Sequence, residues 1–170
     1  SMPGYTVIRP CDTHETAAAW YLALTRKQPT GIVLSRQTLP LLKETGKDAL
    51  KGAYILQNCD GKPDIILMAT GSEVELIYKA YDILTEKGIK VRTVSMPSFE
   101  VFEEQSNEYK ESVLPNSVRA RVAVEAASDF GWYKYVGLDG KVICMHGFGE
   151  SAPAGELFKK FGFTVDNVVN

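Results

Sequence analysis

Three places in this sequence put charged side chains where a fold could use them. The first is Arg36, in the string GIVLSRQTLP. Gly31–Ser35 is a compact apolar run of β type, so the arginine stands at the carboxyl end of a strand. In α/β proteins that end opens on the ligand crevice, and a guanidinium fork there suits a phosphate or carboxylate. The competing role is a salt bridge to a neighbouring acid, Asp12 or Glu15. The second place is Gly71-Ser72-Glu73, which opens a helix after an apolar strand. Free amides at a helix N-terminus attract anions. There is one glycine and no GKS or GKT, so this is neither a dinucleotide fingerprint nor a phosphate loop, and a capped turn is the plainer reading. The third is the pair Glu125 and Asp129. Paired carboxylates can share acid–base work. No His, Ser or Lys is fixed beside them by the sequence, and helix capping accounts for both.

The remaining candidates read as structural. His146 lies in a glycine-rich turn, HGFGES, without the GxSxG of a nucleophile elbow. It reads as a turn-lining residue, and His14 as a surface or interdomain one. Cys11, Cys59 and Cys144 are odd in number, widely spaced and outside any CxxC. They read as free thiols rather than metal ligands or disulfides, and a reducing cytoplasm fits them. Phe130, Trp132, Tyr133 and Tyr135 could stack on a base or sugar; with no basic cluster around them they read as a core or subunit contact. From the residues alone no complete active site assembles.

The elements that must position these residues follow from periodicity. Asp64–Pro97 organises the chain: DIILMAT, then GSEVELIYKAYDILTEKG, then IKVRTVSMP. That is strand, helix, strand. Val74, Ile77, Tyr81 and Leu84 share one helical face. Ser72 with Glu75 has capping-box spacing, and Gly88 stands where a C′ glycine belongs. Unbroken apolar strands joined by a helix imply a parallel sheet covered on both faces. Upstream, Tyr5–Arg9 and Gly31–Ser35 are strands around a helix begun at Asp12 or Thr13, with Ala17, Trp20, Tyr21 and Leu24 as its apolar face and Asp12 to Glu15 at capping-box spacing. This βαβ unit cannot bury both faces of its sheet alone. Leu39–Gly52, with its Pro, Gly and Lys residues, reads as a linker, and a domain boundary is expected near residue 45. Tyr54–Asn58 is a further strand. The Asp60-Gly61 turn pairs it antiparallel with residues 64–70 as a hairpin, or leaves it as an edge strand. Beyond Pro97 come two short helices (the first capped by Ser98), a strand over 118–125, a short aromatic helix, a strand over 141–145, a helix begun near Pro153 with Leu157, Phe158 and Phe161 inward, and a last partial helix from Thr164. The expected fold is therefore a three-layer, doubly wound, mostly parallel α/β sheet with one antiparallel edge strand, preceded by a partial βαβ remnant.

Composition narrows the function classes. The 170 residues carry a net charge of −2, with 45% hydrophobic and 24% charged residues. These values are ordinary for a globular protein with a sizeable core. No basic patch argues for nucleic acid, and no apolar run approaches the roughly 20 residues that span a bilayer. The start, Ser1-Met2-Pro3-Gly4, carries no signal-peptide pattern; it reads as a tag scar before a true start, or as a cut from a longer protein.

Several strings together resemble the carboxyl-terminal part of transketolase. They are VIRPCDTHETAAAW, IVLSRQTLP, MATGSEVELIYKAYDILTEKGIKVRTVSMPS, YKESVLP, ARVAVEA, WYKYVGLDG and FGESAPAGELFKKFGFTVDNVV. The resemblance covers essentially the whole chain. It implies that residues 1–45 match the end of the pyrimidine-binding (middle) domain plus linker, and 46–170 a complete carboxyl-terminal domain with one antiparallel edge strand. It implies a parent that moves a two-carbon ketol unit between sugar phosphates in the pentose phosphate pathway. That parent works as a cytoplasmic homodimer with thiamine diphosphate and a divalent cation, Mg or Ca. The arginine of the family's LSRQ string binds the substrate phosphate, and here it is Arg36. The family's GDG metal and diphosphate motif, its activating glutamate and its HQPVE stretch have no counterpart here, and neither Glu15 nor Glu125 is that glutamate. The chain is therefore expected to contain no catalytic, cofactor-binding or metal-ligating residue, to act as a structural, dimer-forming piece, and to be inactive by itself. The alternatives are a non-catalytic α/β ligand-binding or assembly module, a standalone nucleotide-binding protein, and a related thiamine-dependent ketol transferase.

Overall fold

The computed structural model describes residues 2–170. Two parallel strands, β1 (Thr6–Ile8) and β2 (Thr30–Ile32), flank helix α1 (Thr13–Thr25) and pair in register from Thr6↔Thr30 to Ile8↔Ile32. This is the expected βαβ unit, but its second strand is not the expected Gly31–Ser35: it ends at Ile32, Val33 and Leu34 are 50% and 56% exposed, and Arg36 therefore stands in a bend beyond the strand rather than at its end. A 3-10 turn, Lys47–Lys51, leads to a five-stranded sheet built from β3 (Tyr54–Gln57), β4 (Ile65–Ala69), β5 (Val91–Ser95), β6 (Arg121–Glu125) and β7 (Lys141–Cys144). The strand order is β3-β5-β4-β6-β7, parallel throughout except for β3 against β5. The expected mixed sheet with one antiparallel edge strand is the observed one.

The hairpin expectation is corrected. β3 pairs with β5, from Tyr54↔Ser95, and not with β4. β4 has β5 on one side and β6 on the other. Both of its hydrogen-bonding edges are thus taken, and the strand before the Asp60-Gly61 turn can only extend the sheet beyond β5.

Alternation along the strands divides the core into two layers. Leu67 and Ala69 face a cluster with Val74, Ile77, Ala80 and Leu84 of α2 (Val74–Glu86) and Val168 of α7 (Val165–Val169). Ile66 and Met68 face the other way, toward Phe102 of α3 (Phe99–Glu103), Val113 of α4 (Asn107–Val113) and Tyr135 of α5 (Tyr133–Val136). Trp132, just before α5, is fully buried in that second layer. Helix α6 (Ala154–Phe161) lies over the first layer, with Leu157, Phe158 and Phe161 half-buried. No helix among the described residues is long and apolar enough to cross a membrane.

Local expectations fail at two helices. In α2 the buried stripe runs through Ala80 rather than Tyr81, and the Tyr81 hydroxyl reaches out to donate to Asn58 O at 2.7 Å. Ser72 is no cap. A 3-10 turn, Gly71–Glu73, precedes α2, and the Ser72 hydroxyl donates to Glu73 instead. In α1 the buried face is Glu15, Ala18, Ala19 and Leu22. The expected apolar face is outside: Trp20 is 55%, Tyr21 58% and Leu24 80% exposed. Periodicity identifies a helix's large apolar stripe, but here the unit docks on the sheet through the helix's small-residue side.

Candidate functional site

Polar chemistry concentrates where the βαβ unit meets the carboxyl ends of the five-stranded sheet. Asp12 caps α1 as expected, accepting from Glu15 N–H at 3.0 Å. Its other carboxylate oxygen accepts from Leu42 N–H at 3.2 Å and the Thr45 hydroxyl at 2.5 Å, so the cap also pins the segment around Leu42–Thr45. The reciprocal half of the capping box is displaced by one residue: Glu15 Oε2 accepts from Cys11 N–H at 2.7 Å, not from the cap residue. Glu15 Oε1 reaches across to the large sheet, accepting from the Tyr54 hydroxyl at 2.8 Å and the Ser95 hydroxyl at 2.5 Å. Glu15 is 1% exposed. Burial raises its pKa above the ordinary carboxylate range, against the opposing pull of its bonds from Ser95, Cys11 and Tyr54. Burial and the adjacent Glu15 charge in turn push the Cys11 thiol and Tyr54 phenol far up. Cys11 is an inert core thiol.

A second polar centre lies at the ends of β4 and β6. Arg9, just past β1, bridges two glutamates: Nη2 donates to Glu73 Oε2 at 3.1 Å and Nη1 to Glu125 Oε1. Trp132 Nε1 donates to Glu125 Oε2 at 3.3 Å. Helix capping, expected for Glu125 and Asp129, is overturned: α5 has no side-chain cap. Glu125 ends a strand and turns inward to the arginine, while Asp129 accepts from the exposed Tyr133 hydroxyl at 2.7 Å. The two acids do not form an acid–base pair. Arg9 was missed from the sequence, and with it the pairing of Glu73 and Glu125 around one guanidinium. The signal was available, since Arg9 directly follows the apolar strand β1, the kind of position expected for Arg36.

Arg36 itself lies in a bend after β2 and is exposed. Among the described residues it enters no ion pair and no side-chain hydrogen bond, and the two acids proposed as its partners are engaged elsewhere. Neither Asp12 nor Glu15 pairs with Arg36 in this structure. The aromatic segment divides: Trp132 and Tyr135 are core, Phe130 and Tyr133 exposed at 78% and 61%. His146 lines a cleft of about 700 Å³ with Asp129, Phe148, Phe158, Phe161 and Phe163. His14 is exposed and within 2.9 Å of the Thr45 hydroxyl.

The family model of the transketolase-like C-terminal domain matches residues 52–164. The chain belongs to the transketolase family. Transketolase 1 of Vibrio parahaemolyticus is 55% identical over 172 residues, an alignment that covers 99% of this chain and 26% of that protein. Among solved structures, transketolase from Leishmania mexicana superposes with a TM-score of 0.90 at 43% identity, over 99% of this chain and 24% of that one. A Pichia stipitis transketolase solved with sedoheptulose 7-phosphate gives 0.91 at 42%, over 99% and 25%. The chain thus spans about a quarter of the length of the transketolases it matches.

The residues present do not fit the diphosphate or the metal ion of a thiamine cofactor. The crevice at the strand ends presents two carboxylates, Glu73 and Glu125, around one arginine, a donor set that repels a polyanion. Among the described residues no three of His, Cys, Asp and Glu gather as a metal cage.

Proposed function

We propose that this chain is the carboxyl-terminal part of a transketolase, and that its contribution to ketol transfer is to hold the phosphate end of a sugar phosphate through Arg36. The single observation that carries this reading is an exposed, unpaired arginine in the family's LSRQ string, in the bend that follows a parallel strand. A phosphate dianion favours a permanently charged, bidentate partner, and Arg36 has no internal carboxylate to compete for it. The Pichia stipitis relative was solved with a sugar phosphate, sedoheptulose 7-phosphate, which agrees with that substrate class. The domain division is proposed near residue 45, with 1–45 the end of the pyrimidine-binding domain and linker and 46–170 the carboxyl-terminal domain.

In the whole protein, thiamine diphosphate with a divalent cation would supply the carbanion chemistry, bound by residues outside this chain. What these residues do is bind and orient: Arg36 grips the phosphate, while Arg9 and Glu15 fix the βαβ unit that carries it. A cytoplasmic homodimer acting in the pentose phosphate pathway is the proposed parent, and the chain alone is proposed to be inactive.

The test is a chimera joining the preceding part of the Vibrio parahaemolyticus transketolase to this chain. It should transfer a two-carbon unit between sugar phosphates when supplied with thiamine diphosphate and Mg²⁺. Arg36→Gln in that chimera should raise KM for phosphorylated acceptors by about 10–100-fold, the weight of one charge-assisted hydrogen bond at about 1.5–3 kcal/mol, and leave unphosphorylated hydroxyaldehydes unaffected. An unchanged KM for the phosphorylated acceptor would remove Arg36 from the site.

A further inference from the structure

The strand order contains a topological switch. The chain leaves β4 for β5 on one side, then returns past β4 to β6 on the other. In doubly wound sheets the crevice between such strands, at their carboxyl ends, is where ligands bind. Here a side chain from outside the five-stranded sheet lies in it. Arg9 reaches Glu73, which follows β4, at 3.1 Å, and Glu125, the last residue of β6. The two carboxylate side chains are 0% and 7% exposed. Their other lone pairs are taken by the Ser72 hydroxyl, by Ala126 N–H at 2.9 Å and by Trp132 Nε1 at 3.3 Å. The backbone closes around the same residue: Gly71 N–H donates to Arg9 O at 3.1 Å and Arg9 N–H to Pro97 O at 2.8 Å. Gly71 makes room, since a Cβ there would stand 3.2 Å from Arg9 Nη2, and its φ of +54° is one that glycine adopts without strain.

We propose that Glu73 and Glu125 form a guanidinium-binding site in the switch-point crevice, and that Arg9 is its tethered ligand. The site explains how a fold that usually hosts a small molecule is used here as a socket for the neighbouring unit. Two acids set apart select a planar cation with two separate donors. A point-charge ammonium satisfies one of them. Arg9 in turn holds the end of β1, Ile8 O accepts from Val33 N–H at 2.9 Å, and Arg36 follows shortly along that segment. Arg9 is thus a positioning residue for Arg36. That last clause rests on the proposed phosphate role; the guanidinium site does not.

The experiment is amide hydrogen exchange on Arg9→Ala with and without ethylguanidinium, using ethylammonium at equal ionic strength as the control. Exchange at residues 6–9, 30–33 and Gly71 should accelerate at least about tenfold on loss of the buried pair, with the amides inside β4 and β6 still protected. Millimolar ethylguanidinium should restore protection saturably, and ethylammonium should not. Absence of saturable rescue, or equal rescue by ethylammonium, overturns the proposal. Should Arg9→Ala not fold, Arg9→Lys decides. It keeps the charge but not the fork, so the same amides should exchange faster than in the wild type; wild-type protection in Arg9→Lys would overturn the site. Titration of the wild type and Arg36→Gln with inorganic phosphate reads the phosphate role separately, so the two readings fail independently.

Discussion

Glu15 is the residue whose removal should cost most for its size. Its side chain accepts from Cys11 N–H, the Tyr54 hydroxyl and the Ser95 hydroxyl, all within a region closed to water. Glu15→Ala leaves three buried donors without a partner, at about 1–3 kcal/mol each. Part of that is offset, because a desolvated carboxylate is removed as well. A net loss of about 3–5 kcal/mol is expected, a large share of the roughly 5–15 kcal/mol that holds a domain folded. Glu15→Gln retains one acceptor oxygen and should lose about 1–2 kcal/mol at neutral pH. Urea unfolding followed by circular dichroism measures both.

The pH dependence carries a definite sign. Burial raises the folded-state pKa of Glu15 above its unfolded value. Its contribution is therefore fully present below the ordinary carboxylate pKa and is lost as pH rises toward the folded value. The stability difference between wild type and Glu15→Gln should be largest near pH 4 and shrink as pH approaches 7, starting from an unfolded pKa of about 4.3. A difference that grows with pH would mean that the three donors outweigh desolvation. A loss below about 1 kcal/mol in Glu15→Ala would mean that the site relaxes to satisfy its donors by other routes.

Other perturbations separate scaffold from surface. Gly52→Ala should destabilise by more than about 2 kcal/mol, because φ is +83° and a Cβ would run into the backbone of Ser98 and Phe102; thermal unfolding reads it. With a thiol reagent in the native state, the half-buried Cys59 and Cys144 should label and the buried Cys11 should not; labelling of Cys11 without unfolding would contradict its burial. Trp20 is exposed and Trp132 fully buried, so acrylamide should quench about half of the native tryptophan emission, and Trp20→Phe should abolish the quenchable part. Arg36→Gln should change stability by no more than about 0.5 kcal/mol, since that side chain is exposed.

Much of the architecture was legible in local pattern. Asp64–Pro97 reads as strand, helix, strand because its apolar period changes from continuous to helical and back, and β4, α2 and β5 follow that pattern. Ser98, Ser106 and Thr164 cap α3, α4 and α7 through their own hydroxyls, a bond made within a few residues that needs no tertiary help. The strings LSRQ, ATGSEVEL and FGESAPA, taken together along the whole chain, sufficed to name the family.

What the sequence determined by itself is therefore local: the order and type of the elements, the family, and the arginine of the LSRQ string as a candidate phosphate ligand. Only the tertiary structure decided which partners those elements meet. β3 joins β5 because β4 has no free edge. Helix α1 buries alanines and leaves Trp20 and Leu24 outside, because the face that docks is chosen by what lies opposite it. Arg9 meets glutamates 64 and 116 residues further along the chain. No spacing rule links positions so far apart; only the winding of the sheet brings strand ends together, and with them the charges that close the crevice.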